Sequence, residues 1–382
     1  MPILPALAVV LPLLLAAQSI EEQEWHLDAL DVYSAQDQAR GDGVIVAVID
    51  SGVDAQHPDL AGRVLPGTGF GSSKGTDGTT DTDGHGTGMA GIIAANGKNG
   101  GALGIAPGAK ILPIASADEK EQFGLDVVAE SIRWAADHGA KVINMSLGFS
   151  STMTPTLVKA VNYAIEKDVV LVAATGNEGK EVSAPANIGG VIAVAGTNRE
   201  GKPWKSSNIG ADTVLAAPAE GIVTAAPESV YSSGYAEMDG TSAASAIVSG
   251  VAALVRAKHP AMPAKDVVNA LIKTAKDLAD PGRDETTGFG MVNPMGALTA
   301  QFPPVERNPL LPEPKPSTPQ PTPTLVAQRP EQPVAEMKDR LPFVAGVVGG
   351  TALMTGLLIA LPAITSRRRQ PVSARDTPPT PW

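Results

Sequence analysis

The 382-residue chain contains no cysteine. That absence removes disulfides, a thiolate nucleophile and every zinc or iron–sulfur site built on Cys ligands. An excess of positive charge is missing too: 29 Lys and Arg stand against 40 Asp and Glu, a formal charge of −11. Polyanions are held by basic patches and counterion release, so nucleic acid is set aside as a partner. No internal repeat is present, and five histidines are the only candidates for imidazole chemistry. With 43% hydrophobic and 18% charged residues, the chain is neither disordered nor fibrous overall and is long enough to bury one sizeable core.

Both ends differ from the middle. Residues 1–19 are apolar with no charged side chain, and Ala16, Ala17 and Ser19 fit a cleavage site, so a secretory signal peptide is expected there. A basic start is lacking, which keeps a retained anchor as the alternative. A short N-terminal extension, residues 20–42, follows. Residues 301–340 are a Pro-rich linker, a composition that favours extended polyproline segments over a packed core. Residues 341–365 are uncharged and long enough to cross a hydrocarbon layer of roughly 30 Å, and Arg367, Arg368 and Arg369 come next. The expectation is one transmembrane helix with residues 366–382 as a cytoplasmic tail, and with the bulk of the chain outside the cytoplasmic membrane. The linker is neutral and the tail carries +3, so the part before them carries −14.

Between these ends, residues 43–300 alternate short apolar runs with amphipathic stretches. Residues 44–49, 110–114, 142–145, 169–174 and 191–195 read as strands buried on both faces. Residues 125–138 and 156–167 read as helices, the first stopped by Gly139. The fold class is α/β, a doubly wound parallel sheet; uneven strand spacing disfavours an α/β barrel.

Three short polar motifs interrupt this pattern: Asp50-Ser51-Gly52 at a strand end, Asp83-Gly84-His85-Gly86-Thr87 and Asp239-Gly240-Thr241-Ser242 at Gly-rich entries to apolar helices. A serine hydroxyl attacks an amide only when an imidazole takes its proton, and a carboxylate must fix that imidazole's tautomer. Asp50, His85 and Ser242 supply the set. His57 stands too close after Asp50 and in a turn context, while His26, His138 and His259 read as surface or helix-end residues. Asn177, in Ala174-Thr175-Gly176-Asn177-Glu178-Gly179, ends another strand with an amide able to donate to an oxyanion.

With these motifs in this order, residues 43–298 resemble the subtilisin-like serine proteases (peptidase S8). Asp, His, Ser is the subtilisin chain order, and Gly240 to Ala244 does not complete a GxSxG elbow. The resemblance implies Ser242 as nucleophile, His85 as base and acid, Asp50 as its orienter and Asn177 as oxyanion donor. It also implies that Ser146, Leu147 and Gly148 form the edge that pairs with substrate backbone. Ala243 and Ala246 stand where the family usually has Met and Pro. The loop 96–102 has the length of a calcium loop in some relatives, but Lys98 puts an ammonium among the oxygen ligands, and Asp81 and Asp83 lack further ligands nearby, so neither a metal nor another cofactor is expected. Asp118, Glu119 and Glu121 suggest a mild taste for basic peptides beside the blander reading of a solvated loop.

Within the family, the Trp25-His26-Leu27-Asp28-Ala29-Leu30 stretch, the Pro-rich linker and the single terminal membrane helix are most similar to the mycosins, membrane-anchored proteases of type VII secretion. The expected function is therefore a membrane-anchored extracytoplasmic endopeptidase acting on peptides or proteins, with a type VII secretion membrane complex as possible partner. A general cell-surface protease and a mainly structural subunit of such a complex are the alternatives.

Overall fold

A computed structural model describes residues 19–116, 124–148, 153–278 and 281–313. The signal segment, the acidic positions 118–121, the apolar stretch 341–365 and the Arg-rich tail lie outside the described residues.

The extension forms two one-turn helices, α1 (Trp25–Ala29) and α2 (Val32–Gln36), separated by Asp31 at a φ of 52°. The sheet then begins with β1 (Ile45–Asp50), β2 (Thr68–Gly69) and β3 (Lys110–Ala115). It continues through β4 (Val142–Met145), β5 (Val170–Ala174), β6 (Ile192–Thr197) and β7 (Leu215–Pro218), in the order β2-β3-β1-β4-β5-β6-β7, every pairing parallel. Helices α3 (His85–Ala94), α4 (Leu125–Asp137), α5 (Pro155–Glu166) and α6 (Thr241–Lys258) cover it. α3 and α6 pack together, α6 lying along β4 to β7, while α4 packs on α5 and against β1 and β3. The expected doubly wound sheet is therefore present. Its strands are apolar throughout because both faces are covered.

Local chemistry sets the helix ends. Thr154 caps α5 by accepting from the Leu157 N–H at 3.2 Å, with Pro155 at the first helical position, where no N–H is needed. Gly139, at a φ of 86°, ends α4 as expected. The antiparallel hairpin of β8 (Ile222–Ala225) and β9 (Tyr235–Met238), helices α7 (Ala264–Thr274) and α8 (Pro294–Thr299), and the short β2 and β7 were not among the expected elements.

The extension belongs to the core. Leu27, Leu30, Val32 and Ala35 are buried, the Trp25 indole donates to the carbonyls of Glu220 and Gly221 at 3.1 and 3.0 Å, and Gln36 Nε2 donates to the Gly104 carbonyl at 2.8 Å. His26 goes inward with its neighbours, which corrects its reading as a surface or helix-end residue: it is 0% exposed, and neither ring nitrogen has a hydrogen-bond partner among the described residues. Burial disfavours its charged form and pushes it down to about 3. Nearby, the buried Glu24 accepts from the Leu103 N–H at 2.8 Å through Oε2, while Oε1 has no partner among the described residues. Burial, reinforced by Glu21 and Asp59, outweighs that bond and pushes the carboxyl up to about 9.

Packing also continues past residue 300. Asn308 is buried, and the Gly190 N–H donates to the Leu310 carbonyl at 3.1 Å, so the first dozen residues of the expected linker lie on the body.

Candidate active site

Asp50 ends β1, the strand from which the order runs outward both ways, where open parallel sheets present their ligand-facing groups. The carboxylate is 1% exposed. Its Oδ1 accepts from the Ser51 N–H and from His85 Nδ1, each at 2.8 Å. Oδ2 is buried with no partner among the described residues.

His85 opens α3, and two other aspartates set its position. Asp81 Oδ1 accepts from the backbone N–H of Asp83 and Gly84 at 3.1 and 2.9 Å and from Ser51 Oγ at 3.0 Å. Its Oδ2 accepts from the Thr87 N–H and hydroxyl at 2.9 and 2.6 Å. Asp83 takes the N–H of His85 itself at 3.0 Å. These carboxylates satisfy the unpaired donors of a helix start and suit its dipole, a role their sequence context did not reveal. Burial of the imidazole opposes its charge, but the Asp50 carboxylate, then Asp83 and Asp81, outweigh burial, and His85 is pushed up to about 9.

Ser242 lies in the first turn of α6, behind Gly240 at φ 148° and ψ 158°. A side chain resists that backbone conformation, and a Cβ there would lie 3.2 Å from Asn177 Nδ2. The Ser242 hydroxyl donates to the Ser146 carbonyl at 3.4 Å. Behind it, the hydroxyls of Ser146 and Ser245 both donate to the Ser242 carbonyl, at 3.0 and 2.9 Å. Asn144 Nδ2 donates to Ser146 Oγ, and Ser249 donates to Asn144 Oδ1, both at 2.9 Å. This buried chain ties α6 to β4. The Ser146 side chain thus faces the interior, Leu147 is buried, and Gly148 abuts Ser183, so the 146–148 edge has its backbone to offer a substrate.

Asn177 Oδ1 accepts from the Thr241 N–H at 2.9 Å and from its hydroxyl at 2.8 Å. With the oxygen engaged, Nδ2 is the end left to donate into a cavity of about 130 Å³ that Asn177 lines together with His85 and Ser242. Thr241 is a positioning residue that sequence reasoning missed. The Gly-Thr-Ser run was visible, but its partner lies 64 positions away.

His57 is held structurally: Nε2–H donates to the Gly234 carbonyl at 2.8 Å, and Nδ1 accepts from the Asp59 N–H at 3.2 Å. His138 is exposed and stacks on Trp134, and His259 bonds the Leu298 carbonyl at 3.2 Å. Among the described residues no three His, Asp or Glu converge as metal ligands. In the 96–102 loop, the Ala102 N–H donates to the buried Asp59 carboxylate at 2.8 Å.

Such an arrangement allows proton transfer from a hydroxyl to a carboxylate-backed imidazole beside an amide donor. Known proteins match it. The subtilase family (peptidase S8) matches residues 41–290. Subtilisin BL of Lederbergia lenta is 35% identical over 279 residues, covering 72% of this chain and 98% of that protein. Fervidolysin of Fervidobacterium pennivorans is 35% identical over 318 residues, 75% of this chain and 45% of that longer protein. Among solved structures, the MycP3 protease from the type VII (ESX-3) secretion system is similar with a TM-score of 0.64 and 33% identity, covering 72% of this chain and 88% of that one. MycP1 with its N-terminal propeptide removed is similar with a TM-score of 0.63 and 30% identity, covering 73% and 98%. The chain belongs to the subtilase family and is a subtilisin-like serine protease, acting on peptide or protein substrates.

Proposed function

We propose that the protein is a membrane-anchored, extracytoplasmic endopeptidase of the mycosin kind, with Ser242 as nucleophile, His85 as general base and acid, Asp50 as orienter and Asn177 as oxyanion donor. One observation carries the catalytic half: the 2.8 Å bond from His85 Nδ1 to Asp50 directs Nε2 to the hydroxyl side, where His85, Ser242 and Asn177 line one cavity. In acylation, His85 in its neutral form takes the Ser242 proton as Oγ attacks the carbonyl carbon. The oxyanion receives hydrogen bonds from Asn177 Nδ2 and the Ser242 N–H, a helix-start donor. His85 then gives the proton to the departing nitrogen, and water repeats the sequence to free the acid. Ser242→Ala should abolish both peptide cleavage and labelling by a serine-directed phosphonate in a folded protein. Labelling that persists would end the assignment.

The mycosin half is supported by the likeness to MycP3 and MycP1 and by the apolar stretch 341–365 with its following arginines. No helix among the described residues is long and apolar enough to cross a membrane, so the anchor rests on that stretch alone. A membrane-impermeant label on intact cells should reach the Pro-rich linker and not Arg367 to Arg369. A secretion complex as partner predicts that deleting the gene impairs export of type VII substrates more than Ser242→Ala does; indistinguishable strains would leave a surface protease.

A further inference from the structure

The cavity beside Ser242 extends beyond the reacting groups. Its other walls are Met89 of α3, Met238 and Asp239 at the end of β9, and Ala243 of α6. None of residues 146–148 lines it, although the Ser146 carbonyl meets Ser242 Oγ. It therefore lies across the nucleophile from the edge that receives the chain before the scissile bond. His85 returns its proton to the leaving nitrogen, so the chain after the bond departs along the wall that His85 shares with Met89 and Met238. Ala243 is the reason there is room: a longer side chain on that helix position would project into the space that Met238 and Met89 bound. Met238 is itself held down on α3, its thioether lying where a Cβ on Gly88 would stand, 2.4 Å from the Met238 methyl.

The rim is acidic. The exposed Asp239 is fixed by accepting from the Gly221 N–H at 2.6 Å, and Asp81 and Asp83 stand at the start of α3 on the His85 side. Arg199, the cation near Gly221, donates to the Gly221 carbonyl at 3.4 Å and lies over the Trp25 ring. A side chain with an apolar stem and a cationic head suits such a site, the stem against thioethers and the head at the carboxylate.

Resting on the protease reading above, we propose that this cavity is the subsite for the residue immediately after the scissile bond and that it selects a long basic side chain, arginine above all, with Ala243 making the space and Asp239 reading the charge. Specificity here comes from both a filled void and a paired charge, so the two contributions separate experimentally.

The test uses one peptide series, identical but for arginine, citrulline or alanine after the cleaved bond, with kcat/KM measured for the full-length protein and for Ala243→Met and Asp239→Asn. Active-site labelling by the phosphonate shows that each variant is folded, and only ratios within a variant are compared. The intact protein should prefer arginine to alanine by roughly tenfold or more and arginine to citrulline by several-fold. Ala243→Met should collapse the arginine-to-alanine ratio, and Asp239→Asn should bring arginine down to citrulline. Cleavage of all three peptides at equal rates, or ratios untouched by both substitutions, overturns the subsite. If no peptide is cleaved and no label is taken up by the intact protein, the protease reading falls and the subsite with it.

Discussion

Two buried histidines mark two regions of this molecule. His85 stands at the catalytic edge against the Asp50 carboxylate and is pushed up to about 9; His26 is enclosed in the N-terminal extension without a partner among the described residues and is pushed down to about 3. Both rings lose water. What separates them is whether a carboxylate comes with the burial. A partnered imidazole becomes a proton carrier with a raised affinity, whereas a lone one becomes a neutral packing group that resists protonation.

The most severe way to break this contrast is to remove the partner. Asp50→Asn should lower kcat roughly 10⁴-fold, as in other triads. It should also move the pH midpoint of kcat/KM, expected near 9 with the rate rising as His85 loses its proton, to lower pH. A midpoint that stays near 9 in the variant would separate the titration from Asp50.

The extension offers the next largest effect. His26 has a folded pKa near 3 against an ordinary 6.5, so its contribution to stability is present above 6.5 and lost as pH falls toward 3. His26→Met should remove that acid loss, on the order of a few kcal/mol, as measured by unfolding in denaturant across that range. An equally steep acid limb in the variant would mean that His26 does not titrate as an enclosed group. Glu24 works in the opposite direction: its carboxyl is raised from 4.5 to about 9, so stability is fully present below 4.5 and declines as pH rises through 9. Glu24→Gln should flatten that alkaline decline, and the same unfolding series shows whether it does.

The mildest change sharpens the contrast within the active site. Asp83→Asn leaves Asp50 in place and removes one of the two lesser charges that raise His85, so the kcat/KM midpoint should fall by less than about one pH unit. A shift as large as that of Asp50→Asn would mean that Asp83 acts on His85 by more than its charge.

Much of the architecture was legible because its strands are uninterrupted apolar runs and its helices carry clear stops, as at Gly139. β7 was not: Leu-Ala-Ala-Pro has no β-branched residue to announce a strand, and tertiary pairing with β6 makes it one. The four site residues were readable from short motifs with one chemical meaning in common. The residues that aim them were not. Asp81 and Thr241 act through bonds to groups that are unremarkable in sequence, and His26 looked solvent-facing because its burial depends on Leu27 and Leu30 docking against a distant part of the chain.

The helix that bears Ser242 is also the most enclosed element of the molecule. α6 spans 18 residues, nearly all buried, and its alanines, serines and Gly250 let neighbours approach so closely that a Cβ on Gly250 would lie 2.6 Å from Ile105. A nucleophile on a surface loop can come adrift while the rest of an enzyme stays folded. Here the amide hydrogens following Ser242 should exchange with solvent only when the whole sheet opens, so loss of the nucleophile's setting and global unfolding should be one cooperative event.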